Sequence, residues 1–201
     1  MAEWLEKAQK IWEAHRTEKS KERFPRLIGR LNYQQLLTIQ NPSKRFVVLY
    51  NTSGTNLVSC VIDRKDLPGF QLMGTKITPR GFIAEAKTYF YETDDETEAH
   101  YICAVLNSPT INEMIKPLQP RGLYGERDIH RRPFMFPIPR FNPNDHIHTK
   151  LAKLGKICHE KVSKVKFTKK SVAGLRKQAK EAIGDELIEI DQLVLKLLRL
   201  E

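Results

Sequence analysis

The apolar positions of the chain change rhythm along its length. In residues 2–16, Trp4, Leu5, Ala8, Ile11, Trp12 and His15 recur at helical spacing, which predicts an amphipathic helix with a single apolar stripe. Two tryptophans on that stripe imply firm packing, against this chain or against a preceding domain. Residues 16–26 (RTEKSKERFPR) lose the pattern and read as a charged loop or linker. From 31 to 92 the texture becomes that of strands. Residues 45–50 (RFVVLY), 57–62 (LVSCVI), 82–83 and 87–91 form short runs rich in valine and aromatics. The polar cluster 51–56 (NTSGTN) between the first two predicts a hairpin, and Pro68-Gly69 and Thr78-Pro79-Arg80-Gly81 predict further turns.

A capped helix follows. Thr93 as N-cap with Glu96 three residues later is a capping box, and acidic residues crowd the first turn, where the helix dipole favours them. Ala99, Ile102, Cys103 and Leu106 form its buried stripe, and Asn107 ends it. Ser108 caps a second helix with Pro109 at its first position, Ile111, Met114 and Ile115 on its apolar face and Pro117 as its stop. Residues 134–138 return as a strand, confined to a sheet edge by Pro137 and Pro139. Asn144-Asp145 then opens a helix with Ile147, Leu151, Leu154, Cys158, Val162 and Val165 close to a coiled-coil seam. Val172, Leu175, Ala179 and Ile183 carry a second run, Gly184-Asp185 kinks or breaks it, and Leu187, Ile190, Val194 and Leu197 continue it. The short basic joint at 166–170 predicts an antiparallel pair. The whole reads as α+β: an N-terminal amphipathic helix and linker (1–30), a mixed-sheet lobe (31–141) and a C-terminal helical hairpin (142–201).

Composition narrows the partners. With 34 basic and 24 acidic residues among 201, the net charge is +10, which favours a polyanion, nucleic acid before membrane. Hydrophobic content of 40% fits a globular chain, and no apolar run approaches the roughly 20 residues that span a bilayer. The N-terminus lacks the charged-then-apolar order of a secretory signal. Cys60, Cys103 and Cys158 are far apart and odd in number, which argues against a disulfide framework. Cys158-His159 has no second pair to complete a zinc site, so buried thiols in a reducing cytoplasm are expected.

Candidate chemistry concentrates in residues 119–132 (QPRGLYGERDIHRR). Arg121, Arg127, Arg131 and Arg132 stand there with Tyr124 and His130, and Gly122 and Gly125 let the backbone approach a partner. Arginine forks match guanine edges and phosphates. The same loop can instead be a solvated one whose arginines pair with Glu126 and Asp128. The lysine-rich stretch from Lys161 to Lys180 poses the same choice between a solvated face and a DNA-backbone contact, as do the polar residues 51–56. No phosphate loop, H-E-x-x-H, G-x-S-x-G or G-x-G-x-x-G occurs, nor the Asp/Asn-Pro-Pro-Tyr/Phe signature of amino-methyltransferases. One enzymatic pattern is present. Asp66, then Glu85-Ala86-Lys87, resembles the Asp…Glu-x-Lys of many restriction nucleases, with Mg²⁺ on the carboxylates and Lys87 near the attacking water.

A longer resemblance spans residues 85–200. An aromatic strand (Tyr89, Phe90, Tyr91) leads to Glu98-Ala99-His100-Tyr101 and Leu106-Asn107-Ser108-Pro109. Gly-x-Tyr-Gly-x-Arg-Asp-Ile follows at 122–129, then Pro137-Ile138-Pro139, His148-x-x-Leu151-Ala152 and Ile190-Asp191-x-Leu193-Val194. In this order the motifs resemble the C-terminal target-recognition domain of N6-adenine DNA methyltransferases of restriction–modification systems, relatives of Type I specificity subunits. The resemblance implies sequence-specific recognition of double-stranded DNA in the cytoplasm. Methyl transfer from S-adenosylmethionine would belong to a partner catalytic domain or subunit, so this chain would hold no cofactor and would not be an enzyme by itself. It carries over no base contact, because members of such a family read different sites. The alternatives are a nuclease on Asp66, Glu85 and Lys87, and a subunit-docking module built on the helical hairpin, as in Type I relatives.

Overall fold

The computed structural model describes residues 2–32, 35–85, 87–123 and 125–200. It divides into two compact units, Met1–Asn41 and Pro42–Glu201. The boundary falls later than residue 30, and the C-terminal helices belong to the same unit as the sheet.

The first unit holds α1 (Ala2–His15), α2 (Glu18–Arg23) and α3 (Leu27–Leu31). The expected linker therefore contains a short helix. Thr17 caps it by accepting from the Ser20 amide, and its sequence EKSKER is made of good helix formers. Arg16 ties the turn after it by donating from Nη1 to the Phe24 carbonyl at 3.0 Å while its guanidinium lies over Trp12. Within this unit the tryptophan stripe is covered only in part: Trp4 is 66% exposed and Ile11 56%.

The second unit is built on three antiparallel strands. β1 (Phe46–Asn51) lies between β2 (Ser59–Asp63) and a later strand, Thr88–Thr93. Phe46 pairs with Asp63 and Thr93, and Asn51 pairs with Thr88, so β1 runs the full width of the sheet between two distinct ends. The connection from β2 contains a small hairpin the pattern did not suggest, β3 (Phe70–Leu72) and β4 (Thr75–Ile77). Met73 and Gly74 at its tip both take positive φ (49° and 80°), the two-residue turn that suits strand twist. The third strand of the sheet is then β5 (Thr88–Thr93). Every described strand pairing is antiparallel, so the sheet is not mixed. The expected strand at Phe82-Ile83 is irregular chain. It follows the turn at 78–81 directly, and Phe82 packs its ring under the Arg64 guanidinium instead.

After β5 the chain enters α4 (Glu96–Asn107) and α5 (Pro109–Ile115). The N-cap of α4 is Asp95, whose Oδ1 accepts from the Thr97 and Glu98 amides at 2.8 and 3.3 Å. Thr93 cannot serve, because it is still the last residue of the β ladder. Its hydroxyl donates to Glu98 Oε2, while Tyr91 donates to Glu98 Oε1 at 2.9 Å. Ser108 caps α5 as expected, with Pro109 in the first turn.

A short hairpin follows, β6 (Arg121–Gly122) and β7 (Gly125–Glu126). Residues 134–138 do not form a strand. Arg132–Met135 is a 3-10 turn started by the buried Pro133, and Pro137 and Pro139 beyond it lack the amides a ladder needs. The C-terminal part is α6 (His146–Ser163), capped by Asp145, then α7 (Val172–Ala182) and α8 (Gly184–Leu198). The predicted second helix is thus broken at Ile183, directly before Gly184.

The core lies between one sheet face and α4, and continues through α6 and α8. Tyr101, Leu106, Ile111, Leu151, Ile190 and Val194 are fully buried there. α4 and α6 approach closely because Gly155 has no side chain: a Cβ there would sit 2.4 Å from the His100 carbonyl oxygen. The residues of the ordered motifs converge in this core. Asn107 clamps β2, accepting from the Ser59 amide and donating to its carbonyl, each at 2.9 Å. Asp191 reaches from α8 to accept from the Thr110 amide at 2.7 Å. Tyr101 donates to the Pro139 carbonyl at 2.9 Å and stacks on His148, whose Nδ1 accepts from the Asn142 amide.

Candidate nucleic-acid interface

The arginine loop is fastened to the end of the sheet where Asn51 pairs with Thr88. Its Ile129 is fully buried. The amides of Ile129 and His130 both donate to the Thr52 carbonyl, at 2.9 and 3.1 Å. Gly54 donates to the Arg127 carbonyl at 2.5 Å, Ser53 bridges Asp128, and Gln119 donates to the Gly54 carbonyl at 2.9 Å. The 51–56 turn therefore serves as the anchor for the loop. Four backbone and side-chain bonds to one tight turn leave the loop little freedom, so its side chains are presented from a rigid base.

The arginines differ in how they are held. Arg127 lies across the face of β6: a Cβ on Gly122 would meet its Nε at 1.8 Å. A side chain at 122 would therefore displace this guanidinium from the strand face. Arg131 stands over the Tyr89 ring at 5.9 Å, and Tyr89 in turn stacks on Tyr50 with centroids 5.3 Å apart. Arg132 donates to the Asp128 carbonyl, and Arg121 is exposed on β6. His130 takes a left-handed backbone (φ 48°) and places Nε2 3.8 Å from Asp128. Tyr124 lies outside the described residues.

The sequence left open whether these arginines are neutralised by Glu126 and Asp128. Among the described residues, Arg121, Arg127, Arg131 and Arg132 form no ion pair with any carboxylate. The acidic neighbours act locally instead, Asp128 on His130 and Glu126 as the strand partner of Arg121. Four guanidinium groups within a dozen residues, none in an ion pair among the described residues and together outnumbering Glu126 and Asp128, make a positive surface with forked donors.

The other candidate cluster does not assemble. Asp66 follows β2 and its amide bonds to the Asp63 carbonyl, at the Phe46–Thr93 end of the sheet. Glu85 and Lys87 precede β5 at the opposite end, where Glu85 accepts from the Lys87 and Thr88 amides. The ends of β1 are about 17 Å apart at the usual rise per residue, and β2 and β5 flank it on opposite sides. Ala86 lies outside the described residues. No group of three His, Cys, Asp or Glu side chains placed to hold a metal occurs among the described residues.

The remaining polar interior is structural. Cys103 is buried against Ser59 and Asn107, and burial pushes its thiol up to about 12; Cys158 is pushed up to about 11 for the same reason. Cys60, by contrast, is exposed, because its side chain alternates to the outer face of β2. His100 is buried on α4, which holds its pKa down to about 4 and keeps the ring neutral. No helix among the described residues is long and apolar enough to cross a membrane. No family model matches the chain, and no curated protein or solved structure matches it either.

Two features here were not singled out from the sequence. The dependence of Arg127 on Gly122 had only a weak signal, a glycine five residues before an arginine in a hairpin. Asn112, which accepts from the Leu57 amide at 2.9 Å and steadies the anchoring turn, had none.

Proposed function

We propose that the chain is a sequence-specific duplex DNA-binding module, the specificity part of an N6-adenine DNA methyltransferase whose catalytic domain or subunit holds S-adenosylmethionine. The observation that carries the DNA reading is the arginine loop itself: four guanidinium groups, unpaired among the described residues, on a base pinned to the sheet. Forked donors of this kind match guanine O6/N7 edges and phosphate oxygens. The methyltransferase assignment rests on the motif order across residues 85–200. In this reading the chain is cytoplasmic, clamps the duplex and has no methylation activity alone, while its partner takes the adenine out of the stack. The nuclease alternative has less support, since Asp66 stands across the sheet from Glu85 and Lys87.

Selection from a randomised duplex library, with and without S-adenosylmethionine and a candidate catalytic partner, tests it. Enrichment of one motif containing an adenine is the expected result. Binding no stronger than that of a charge-matched control protein at about 150 mM salt, where weak non-specific association is reduced, would overturn it.

A further inference from the structure

The basic stretch after α6 has an organisation that the arginine loop does not explain. Between residues 164 and 180 stand Lys164, Lys166, Lys169, Lys170, Arg176, Lys177 and Lys180, with no acidic residue among them. Of these seven, only Lys177 has a described carboxylate partner, Glu181 at 3.9 Å on the exposed helix surface.

This stretch is not a loose tail. Gln178 reaches back from α7 and accepts from the Thr168 and Lys169 amides at 3.1 and 3.0 Å, while its Nε2 donates to Thr168 Oγ1 at 3.0 Å. Ser171 caps α7 by accepting from the Gly174 amide at 3.1 Å. A Cβ on Gly174 would lie 2.7 Å from Lys169 Cβ, so the loop rests directly on the first turns of the helix. Arg176, Lys180 and Lys177 then span an arc of about 100° of the α7 surface, beside the Val172, Leu175 and Ala179 stripe. The Gly174–Gln178 side, where Lys169 is held, adjoins that arc.

The two basic regions meet on one turn. Arg176 Nη2 donates to the Asn56 carbonyl at 3.3 Å, and the same 51–56 turn bonds to Arg127 through Gly54. We propose that residues 164–180 form a sequence-independent phosphate track that extends the arginine loop along the DNA backbone. This rests on the DNA reading above. Lysine suits the task because a compact ammonium on a flexible stem contacts phosphate as a point charge without a fixed fork geometry, whereas the planar arginine fork suits base edges. Continuity with the arginine loop favours a duplex over an anionic membrane or an acidic protein, which would need no second basic surface beside it.

The test uses the full chain with Lys166, Lys169, Lys170 and Lys177 all changed to Gln. A control carries the same charge loss at Lys7, Lys10, Lys44 and Lys153. Folding of both is checked by circular dichroism, and affinity for several unrelated duplexes is measured against salt. The quadruple track variant should lose steepness in log K against log salt by about 0.9 for each phosphate contact removed, and weaken all duplexes by a similar factor without altering the selected motif. Gly174→Val, which displaces Lys169 without removing charge, should reproduce part of that change. A track variant with the wild-type slope, or one that loses no more than the control, would overturn the track alone and leave the arginine reading standing. If the wild-type chain binds no duplex but is retained on phosphatidylserine vesicles, both readings fail together.

Discussion

The two ends of the three-stranded sheet handle positive charge in opposite ways. At the Phe46–Thr93 end three cations beside the ladder have a carboxylate: Lys44 pairs with Asp94 at 2.6 Å, Arg45 with Asp63 at 2.7 Å, and the buried Arg64 with Glu92 at 2.7 Å. At the Asn51–Thr88 end Arg121, Arg127, Arg131 and Arg132 have none among the described residues. Both ends hang on the same β1 strand. A net charge of +10 describes neither of them. Cations that are neutralised within the fold contribute to stability, and those left without a counter-charge dominate the external field. The unpaired positive charge is thus concentrated at one end of the sheet, which total charge alone does not reveal.

The largest effect should come from the paired end. Arg64→Ala removes the buried guanidinium that pairs with Glu92, whose side chain is only 10% exposed, and should lower unfolding free energy by about 3–5 kcal/mol, read from urea denaturation. Duplex affinity of the folded fraction should not change; if it falls in parallel with stability, the two ends are not independent. At the unpaired end the pattern should invert. Arg127→Ala should weaken a selected duplex by about 1–3 kcal/mol while unfolding shifts by no more than about 0.5 kcal/mol. Gly122→Ala should weaken the duplex in the same direction, because its methyl displaces the Arg127 guanidinium. A Gly122→Ala chain that binds like wild type would detach Arg127 from recognition.

Acid should separate the ends further. Arg45 hydrogen-bonds to Asp63, and Lys44 to Asp94, which holds both carboxyls below the ordinary 3.8. A carboxyl lowered in the folded state stabilises it above the unfolded value, and that contribution disappears as pH falls through the lowered one. Among the described residues the four arginines of the other end have no such carboxylate pair to lose. Below about pH 3.8, amide exchange at Phe46 and Thr93 should therefore accelerate before that at Tyr50 and Thr88. Equal acceleration at both ends would show that the pairs do not hold their end of the ladder. The smallest effect is expected at Arg45, which lies with Asp63 far from the arginine loop. Arg45→Ala should leave duplex affinity within about twofold, because an exposed, already paired cation adds little to the field.

Local chemistry made much of this fold readable. The β1–β2 hairpin follows from valine-rich runs around a polar turn, and α5 from Ser108-Pro109. α6 follows from Asp145 and its apolar seam. Where the sequence misled, a neighbour in space or a nearby proline had intervened. Thr93 has the right chemistry for an N-cap, but strand pairing with Phe46 keeps it in the ladder, and the cap passes to Asp95. Residues 134–138 have the apolar content of a strand, but Pro133 and the prolines after it commit the chain to a turn. The spacing of Asp66, Glu85 and Lys87 matches a metal site in one dimension only, because β register sends its members to opposite ends of the sheet.

Readable from the chain alone were the α+β class, most helices, the three strands of the main sheet, the excess of positive charge and the segment where arginines concentrate. These depend on residues close together in the chain, where periodicity, caps and turn chemistry act. Tertiary structure decided which cations keep their charge to themselves and which present it outward. That depends on whether a carboxylate from a distant segment arrives within a few ångströms, as Glu92 does for Arg64 and as none of the described acids does for Arg127.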